Sequence, residues 1–197
     1  MCSTKSIDQS TRIYIESLFG FKWVNKILQW WNSHEPIERP TWDEYFMMMA
    51  MLAATRSVDA QWQAGAVLVK NNRIISTGYN SFPTGMPDEL LPNTRPDKYN
   101  WVIHSEANAL YNATQDVRGS TCYTNGHPCL ECLKACYQSG VKDFVITQGK
   151  AHMVHNIEED KLAVYDSLIS AGGIKIREIN VSKVALNRLT EIFSNSN

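Results

Sequence analysis

Two short stretches, about 25 residues apart, constrain this chain more than any other feature of its sequence. The first, IHSEANAL, contains His104 and Glu106, and the second, GHPCLEC, contains Cys129 and Cys132. Together they form the pattern H-x-E followed by P-C-x-x-C. Imidazole nitrogen and thiolate sulfur are donors that Zn2+ prefers, and three of them leave one position of a tetrahedron open for water. The sequence therefore predicts a zinc site with His104, Cys129 and Cys132 as its ligands.

A helix that opens at PCLEC would place both cysteines on one face. Cys129 and Cys132 are three residues apart, which is a same-face spacing on a helix. Pro128 suits the first helical turn, where no backbone N–H is needed. The positive end of the helix would also favour the thiolate form that zinc requires.

Glu106 is predicted to handle protons and not to bind the metal. It lies two residues beyond His104, and residues i and i+2 do not share a face of a helix. A carboxylate beside a zinc-bound water can accept its proton and later deliver it to a leaving amine. Three ligands with one additional carboxylate indicate hydrolysis, and the combination is typical of zinc-dependent nucleobase deaminases.

A structural zinc site is the alternative interpretation of the same residues. A C-x-x-C pair is often a zinc knuckle or a redox pair, and a structural site would be closed by a fourth Cys or His. His127 could supply that ligand, and so could Cys136, which continues the helical face of Cys132.

The composition limits the classes of protein to which this chain can belong. The 197 residues are 44% hydrophobic and 20% charged, which is typical of a globular domain. A formal net charge of −1 and a pI of about 6.5 disfavour a nucleic-acid polymer as partner, because such proteins carry a basic excess. No stretch approaches the roughly 18 apolar residues of a transmembrane segment.

The cysteines indicate a reducing compartment. Their number is odd, and no signal peptide precedes them, so we expect metal ligands and free thiols instead of a disulfide framework. This predicts the cytoplasm, or the host cytoplasm for a viral chain. The five are Cys2, Cys122, Cys129, Cys132 and Cys136.

The first 38 residues are predicted to form an extension of a deaminase domain that spans residues 39–197. Residues 1–10 are polar and predicted to be loose. We interpret residues 11–31 as an accessory helix that packs on the domain or on a neighbouring subunit, and a docking or membrane-surface helix is the alternative. The apolar positions at helical spacing are Phe21, Val24, Ile27, Leu28 and Trp31.

Alternating helix and strand patterns follow. Thr41 and Glu44 form a predicted capping box at the start of a helix through YFMMMAMLAATRS. A buried strand and its partner (RIISTGY) flank a turn at Asn71-Asn72. The long loop at 80–103 leads to His104, and we expect it to form the wall where the substrate enters. Further helices begin near residues 104, 128, 157 and 182, and further strands are STCYTN, DFVIT and KIREI, which indicates an α/β layered fold.

Residues 39–150 resemble the deoxycytidylate (dCMP) deaminases of the cytidine deaminase-like superfamily. The matching segments are RPTWDEYFMMMAMLAATRS, GAVLVKNNRIISTGYNSFPTG, HSEANAL and PCLEC with SGVKDFVI. The resemblance implies a three-layer α/β/α fold with a five-stranded mixed sheet. It implies hydrolysis of dCMP to dUMP and ammonia, which supplies dUMP for dTTP synthesis. One Zn2+ per chain is expected, because residues 41–103 lack the cysteines of the second zinc site that some phage relatives carry.

The resemblance also assigns residues to the substrate. Asn80 corresponds to the asparagine that contacts the sugar, and Ser105 provides the backbone N–H that contacts the pyrimidine. The segment from Lys98 and Tyr99 to Val102 corresponds to a substrate-binding segment. Two phosphate partners are implied, Lys98 and the pair Arg56 and Ser57. The alternatives are that Lys98 and Arg56 are solvated surface charges and that Asn80 only holds its turn.

Regulation is implied by the same resemblance. Relatives are commonly hexamers that dCTP with Mg2+ activates and dTTP inhibits at subunit interfaces. Asn80, Pro83 and Gly85 keep the pattern of that regulatory site, although Ser81 replaces a common glycine. The resemblance therefore predicts a homo-oligomer with a nucleotide effector.

Two other functions remain open at this point. The first is a deaminase of another substrate, such as dCTP, cytidine, a guanine-type base or a tRNA base. The second is a non-catalytic zinc-stabilised module that binds a partner through the Trp-rich helix. Glu106 distinguishes catalysis from the module, because a purely structural zinc site has no need of this carboxylate.

Overall fold

The computed structural model describes residues 8–20, 24–26, 29–30, 33, 38–147 and 159–194. Residue contacts divide the chain into two units, Met1–Arg39 and Pro40–Asn197. None of the described helices is both long enough and apolar enough to span a membrane.

In the first unit, helix α1 spans Gln9–Phe19. The carboxylate of Asp8 accepts hydrogen bonds from the backbone N–H and the hydroxyl of Thr11, at 2.9 and 2.7 Å, which caps the first turn. The prediction that residues 9 and 10 are loose is therefore wrong. Of the accessory helix predicted over residues 11–31, residues 11–19 belong to α1, and most of residues 21–31 lie outside the described residues.

The second unit contains five strands and five α-helices among its described residues. The strands are β1 (Gly65–Lys70), β2 (Arg73–Tyr79), β3 (Thr121–Thr124), β4 (Asp143–Thr147) and β5 (Lys175–Ile179). The helices are α2 (Trp42–Ala54), α3 (Ser105–Tyr111), α4 (Leu130–Gln138), α5 (Glu159–Ser170) and α6 (Lys183–Ser194).

The strands form one sheet in the order β2-β1-β3-β4-β5. The β1–β2 and β1–β3 pairs are antiparallel, whereas the β3–β4 and β4–β5 pairs are parallel. The predicted five-stranded mixed sheet is thus confirmed. Asn71 and Asn72 connect β1 to β2 with φ values of 52° and 56°, as the predicted hairpin turn requires.

Helices cover both faces of the sheet, so the central strand β1 is apolar on both sides. Ala66 and Leu68 pack in a cluster with residues of α3, α4 and α5. Val67 and Val69 point the other way and pack with α2 residues, including Phe46 and Met47. This alternation along one strand explains why GAVLV is a continuous apolar run, as is usual for a strand buried on both faces.

The capping box predicted for α2 is present. The Thr41 hydroxyl accepts from the backbone N–H of Glu44 at 3.2 Å, and the Glu44 carboxylate accepts from the backbone N–H of Thr41 at 2.8 Å. The same carboxylate accepts from the backbone N–H of Ser182 at 3.0 Å, just before α6. The hydrogen bonds from Ser182, through its side chain first, and from the backbone of Thr41 lower the pKa of Glu44 to about 2.

Gly78 in β2 permits the close approach of α3, the helix that carries Glu106. A Cβ atom at this position would lie 2.3 Å from the Ser105 carbonyl oxygen and 2.3 Å from the Ala109 backbone nitrogen. Only a residue without a side chain fits there. The glycine of the GYN stretch therefore sets the distance between the sheet and the helix.

Candidate metal centre and its cavity

The three predicted ligands converge at two helix N-termini. His104 is the residue that caps α3, and Cys129 is the residue that caps α4, where both backbones are extended. Cys132 lies in the first turn of α4. The expectation that Pro128 occupies the first turn is wrong, because α4 begins only after Cys129.

The geometry of these donors fits a tetrahedral zinc ion. The Nδ1 atom of His104 lies 3.2 Å from the Cys129 sulfur and 3.5 Å from the Cys132 sulfur. All three donor atoms lie within 4.8 Å of one another. Bond lengths of about 2.1 Å to nitrogen and about 2.3 Å to sulfur give a nitrogen–sulfur edge of about 3.6 Å in a tetrahedron, close to the observed spacing.

Neither proposed fourth ligand joins this group. Among the described residues, the His104, Cys129 and Cys132 cluster is the one group of three His, Cys, Asp or Glu side chains placed to hold a metal ion. Cys136 is fully buried beside Cys122, and the hydrogen bond between their thiols raises the pKa of Cys122. His127 instead pairs through Nδ1 with the Tyr165 hydroxyl at 2.8 Å.

The pKa values of the two cysteine thiols shift in opposite directions. The hydrogen bond from Cys132, reinforced by the neighbouring His104, lowers the pKa of Cys129 to about 4. The same contact with Cys129, together with burial, raises the pKa of Cys132. The hydrogen bond to Cys129 also raises the pKa of His104. A divalent cation would replace this shared proton and favour the thiolate form of both sulfurs.

Glu106 lies on the floor of the same cavity and is only 5% exposed. Its carboxylate accepts a hydrogen bond from the Ser105 hydroxyl at 3.2 Å and another from the Thr124 hydroxyl at 3.3 Å. Burial is the main cause that raises the pKa of this carboxyl group. A carboxylate in this setting holds a proton more readily than one in water, which suits a group that must accept a proton and release it.

A buried ion pair organises part of the wall of the cavity that His104 and Cys129 line. The Lys98 ammonium donates to Asp59, and the two residues are only 3% and 6% exposed. Asp59 also accepts from the backbone N–H groups of Gln61 and Trp62, at 2.9 Å each. Burial opposes ionisation of Asp59, but the contacts with Lys98 and with these two N–H groups hold its pKa below the ordinary value.

Asn80 is fixed by the same network. Its side-chain carbonyl accepts from the backbone N–H of Ala64 at 2.8 Å, and its amide donates to Asp59 at 3.1 Å and to the Trp62 carbonyl at 2.8 Å. Both amide hydrogens are therefore used within the protein, and the carbonyl keeps one lone pair available. This arrangement favours the alternative in which Asn80 holds the turn, while the residue still lines the cavity.

The structure separates the remaining predicted residues between two cavities. The cavity that His104 and Cys129 line is also lined by five residues that the resemblance assigns to the substrate, namely Asn80, Lys98, Tyr99, Val102 and Ser105. Arg56 and Ser57 line a second cavity together with Pro83 and Gly85. Nothing in this arrangement supports a contact between Arg56 or Ser57 and a substrate at the metal centre, because α2 ends before them and directs them to the second cavity.

Several residues in and around the site lie outside the sequence motifs. Asp59 follows α2 in a polar segment, and only its Asx turn onto Gln61 and Trp62 has a local sequence signal. Thr124 and Tyr165 belong to a strand and a helix whose patterns predict core positions. Arg95 lies within the long loop, where no periodic pattern in the sequence predicts which side chains face the cavity. The loop itself is closed by backbone hydrogen bonds between Ser81 and Ile103, at 3.1 and 2.8 Å.

Known proteins resemble this chain over most of its length. The family described as the cytidine and deoxycytidylate deaminase zinc-binding region matches residues 40–148. Human deoxycytidylate deaminase is 35% identical over 156 residues, which cover 74% of this chain and 85% of the human protein. The mouse deoxycytidylate deaminase is 41% identical over 119 residues, which cover 56% of this chain and 67% of the mouse protein.

Solved structures give the same result. The dCMP deaminase of cyanophage S-TIM5 in its apo form superposes with a TM-score of 0.54 at 26% identity, over 72% of this chain and all of the phage chain. The same phage enzyme in complex with dCMP and dUMP superposes with a TM-score of 0.53 at 25% identity, over 74% of this chain and all of the phage chain.

Proposed function

This chain belongs to the family of cytidine and deoxycytidylate deaminases, and on that premise we propose that it hydrolyses dCMP to dUMP and ammonia. The observation that carries the proposal is the position of Glu106. Its buried carboxylate lines the same cavity as His104 and Cys129, whose donor atoms converge with that of Cys132. The dCMP-bound phage enzyme, which shares this fold, supports the choice of substrate.

The chain's own residues account for the proton movements of this reaction. Zn2+ held by His104, Cys129 and Cys132 would supply a Lewis acid that lowers the pKa of a bound water. Glu106 accepts one proton from the attacking water and delivers it to the ring nitrogen beside C4, where it stays. It then passes the second proton, from the hydroxyl formed on C4, to the amine, which leaves as ammonia. Water thus replaces ammonia at C4, and the carboxylate returns to its starting state.

The side chains around Glu106 keep its carboxylate in position. Ser105 and Thr124 donate to different oxygens of this carboxylate, so that its plane is fixed from two sides. Asn80, Lys98 and Tyr99 line the same cavity, where the base and sugar of the substrate would lie. The backbone N–H of Ser105 is the proposed contact to the pyrimidine.

Regulation by nucleotides forms the second part of the proposal. We assign the effector, dCTP with Mg2+, to the second cavity, which Arg56, Pro83 and Gly85 line. A guanidinium in that cavity supports an anionic ligand there. A homo-oligomer, a hexamer in relatives of this branch, and a location in the cytoplasm belong to the same proposal. Free thiols at Cys122 and Cys136 support a reducing compartment.

The test is the release of ammonia from dCMP, deoxycytidine, dCTP and CMP, each with and without dCTP and Mg2+. We expect turnover of dCMP to exceed that of the other three, and a further increase when the effector is added. If zinc-loaded protein deaminates none of them, the proposal is wrong, and the non-catalytic module or another base becomes the better explanation.

The ligand set has an independent test. Cys129→Ala should lose zinc, measured as metal per chain after dialysis, and should lose turnover with it. Cys136→Ala is the matched control, because Cys136 lies on the helix that Cys129 caps but contacts Cys122. Full zinc occupancy in Cys129→Ala would refute the assignment of this residue as a ligand.

A further inference from the structure

The cavity at the metal centre has a buried floor and an exposed mouth. On the floor, Glu106 is 5% exposed and Thr124 is 0% exposed. At the mouth, Tyr99 is 57% exposed, and Arg95 is exposed as well. All four residues line the same cavity, which gives the cavity a direction from the reacting group towards solvent.

A nucleotide must lie along this direction in one orientation. The reacting carbon of the pyrimidine has to reach Glu106 at the floor. The phosphate is at the opposite end of the nucleotide, so it must lie towards the mouth. A phosphate in a partly desolvated site requires a cation or several N–H donors, and a guanidinium can offer two at once.

Lys98 is poorly placed to be that cation. Its side chain is buried, and its ammonium is already paired with Asp59. Asp59 in turn holds Asn80 and the backbone of residues 61 and 62. Moving Lys98 onto a phosphate would leave the Asp59 carboxylate buried without its counter-charge, which is strongly unfavourable.

Arg95 is the uncompensated cation among the residues that line this cavity. No carboxylate in the described part of the chain lies within 4.0 Å of its guanidinium. The guanidinium carbon is 5.7 Å from the centroid of the Tyr99 ring, a contact that orients the group without neutralising its charge. The backbone N–H of Arg95 donates to the Gln61 side chain at 2.8 Å, which ties this part of the loop to the segment that Asp59 holds.

We propose that Arg95 binds the phosphate of the substrate and that it, not Lys98, distinguishes the nucleotide from the nucleoside. Tyr99 is the positioning residue that carries the guanidinium. The Asp59–Lys98 pair shapes the wall but contributes no net charge to recognition. This inference rests on the proposed function, because it takes a pyrimidine nucleotide as the ligand.

The experiment measures the binding of dUMP and deoxyuridine to the zinc-loaded full chain by titration calorimetry. Arg95→Gln should weaken dUMP binding by about 10- to 100-fold, the range for losing a hydrogen bond to a charged group, and should leave deoxyuridine binding unchanged. Arg95→Lys should lie between the wild type and Arg95→Gln, because an ammonium keeps the charge but not the two-pronged contact. The control is Arg118→Gln, since Arg118 is exposed and pairs with Asp116 outside the cavity.

A second pair of variants tests Lys98 against Arg95. The double variant Asp59→Asn with Lys98→Met removes the ion pair together, so that neither charge is left buried alone. We expect both ligands to lose affinity by a similar factor, and the ratio of dUMP to deoxyuridine affinity to stay as in the wild type. The proposal would be overturned if the ratio of dUMP to deoxyuridine affinity fell strongly in the double variant but stayed normal in Arg95→Gln. That result would assign the phosphate to Lys98.

Binding of product separates this inference from the proposed reaction. A chain that binds dUMP through Arg95 but does not deaminate dCMP would refute the catalytic proposal and leave this one intact. If the chain deaminates dCMP and kcat/KM for dCMP is equal in the wild type and Arg95→Gln, the role of Arg95 is refuted and the catalytic proposal stands. Equal losses for dUMP and deoxyuridine in Arg95→Gln would also refute it, since they would indicate a role in shaping the loop.

Discussion

Two adjacent residues of β3 make the same kind of contact on opposite faces of the sheet. On one face, the Thr124 hydroxyl donates to Glu106 at 3.3 Å, and on the other, the Tyr123 hydroxyl donates to Asp43 at 2.7 Å. Each contact joins a strand hydroxyl to a helix carboxylate. The two carboxyl groups nevertheless have opposite pKa shifts.

The surroundings of each carboxylate explain the difference. Glu106 is almost fully buried, and burial raises its pKa. Asp43 receives two hydrogen bonds from Arg177, at 2.5 and 2.7 Å, and this contact holds its pKa below the usual value. A carboxylate whose pKa is set mainly by burial can take up a proton, whereas one that a guanidinium binds through two hydrogen bonds remains a fixed anion. The first arrangement suits catalysis and the second suits stability.

The largest expected effect comes from Glu106→Gln. An amide of the same size cannot accept a proton, so kcat for dCMP should fall by about 10²- to 10⁴-fold, the usual contribution of a general acid–base group. Zinc content and the thermal unfolding midpoint should remain close to wild type. The measurement is steady-state kinetics together with metal analysis.

Asp43→Asn is the matched variant on the other face. It makes the same chemical change on a carboxylate that also accepts from a β3 hydroxyl, and it should leave kcat unchanged. Retained turnover in Glu106→Gln would remove Glu106 from its assigned role. A large loss of kcat in Asp43→Asn would remove the distinction between the faces.

The next largest effect is expected for Thr124→Val, which keeps the shape of the side chain but removes the hydroxyl. The Glu106 carboxylate would keep its Ser105 contact and lose the one from the strand. We expect kcat to fall by about tenfold, equivalent to ~1.4 kcal/mol, while KM changes little. An equal loss of kcat in Tyr123→Phe would show that the strand itself, and not the hydroxyl, is responsible.

The sequence predicted the floor of the site better than its wall. His104, Cys129 and Cys132 could be identified because zinc coordination restricts both the residue types and their local spacing. The apolar run in β1 and the alternation of helices and strands were sufficient for the layered fold. These signals are short patterns of residue type and spacing, so they can be recognised in a single sequence.

The wall could not be predicted in the same way. The ion pair of Lys98 with Asp59 joins residues 39 positions apart, and neither has a motif of its own. Lys98 therefore appears in the sequence as a surface charge or a phosphate ligand, whereas it is buried and paired. The resemblance implies Arg56 as a phosphate partner, and in the structure this residue lines the second cavity.

A smaller effect, on stability, is expected for Asp43→Asn as the pH changes. The folded-state pKa of Asp43 lies below its ordinary value of 3.8, so its ionised form stabilises the folded protein above that pH. This contribution is lost as the pH falls through the lowered pKa. The unfolding midpoint of the wild type should exceed that of the variant at pH 7, and the gap should close as the pH falls below about 4.

The size of that gap is limited by solvent. The Arg177 and Asp43 side chains are 52% and 34% exposed, so screening should keep the contribution below about 1 kcal/mol. Arg188→Gln is a control, because Arg188 forms only an exposed pair with Glu191 on α6. A gap that widens towards acid would contradict the assignment of Asp43 as a stabilising anion.

The smallest effect should come from Tyr123→Phe, which tests whether the hydroxyl on the stabilising face matters once Arg177 is present. Burial, together with the hydrogen bond to Asp43, raises the pKa of this phenol, so it stays protonated and donates at neutral pH. Its removal leaves Asp43 with both hydrogen bonds from Arg177, and we expect a loss of about 0.5 kcal/mol in the free energy of unfolding, the low end for a hydrogen bond. Chemical denaturation with kinetics on the same sample would measure both quantities. A loss of kcat larger than the loss for Thr124→Val would mean that β3 transmits strain between its faces, and the two carboxylates could then no longer be treated as independent.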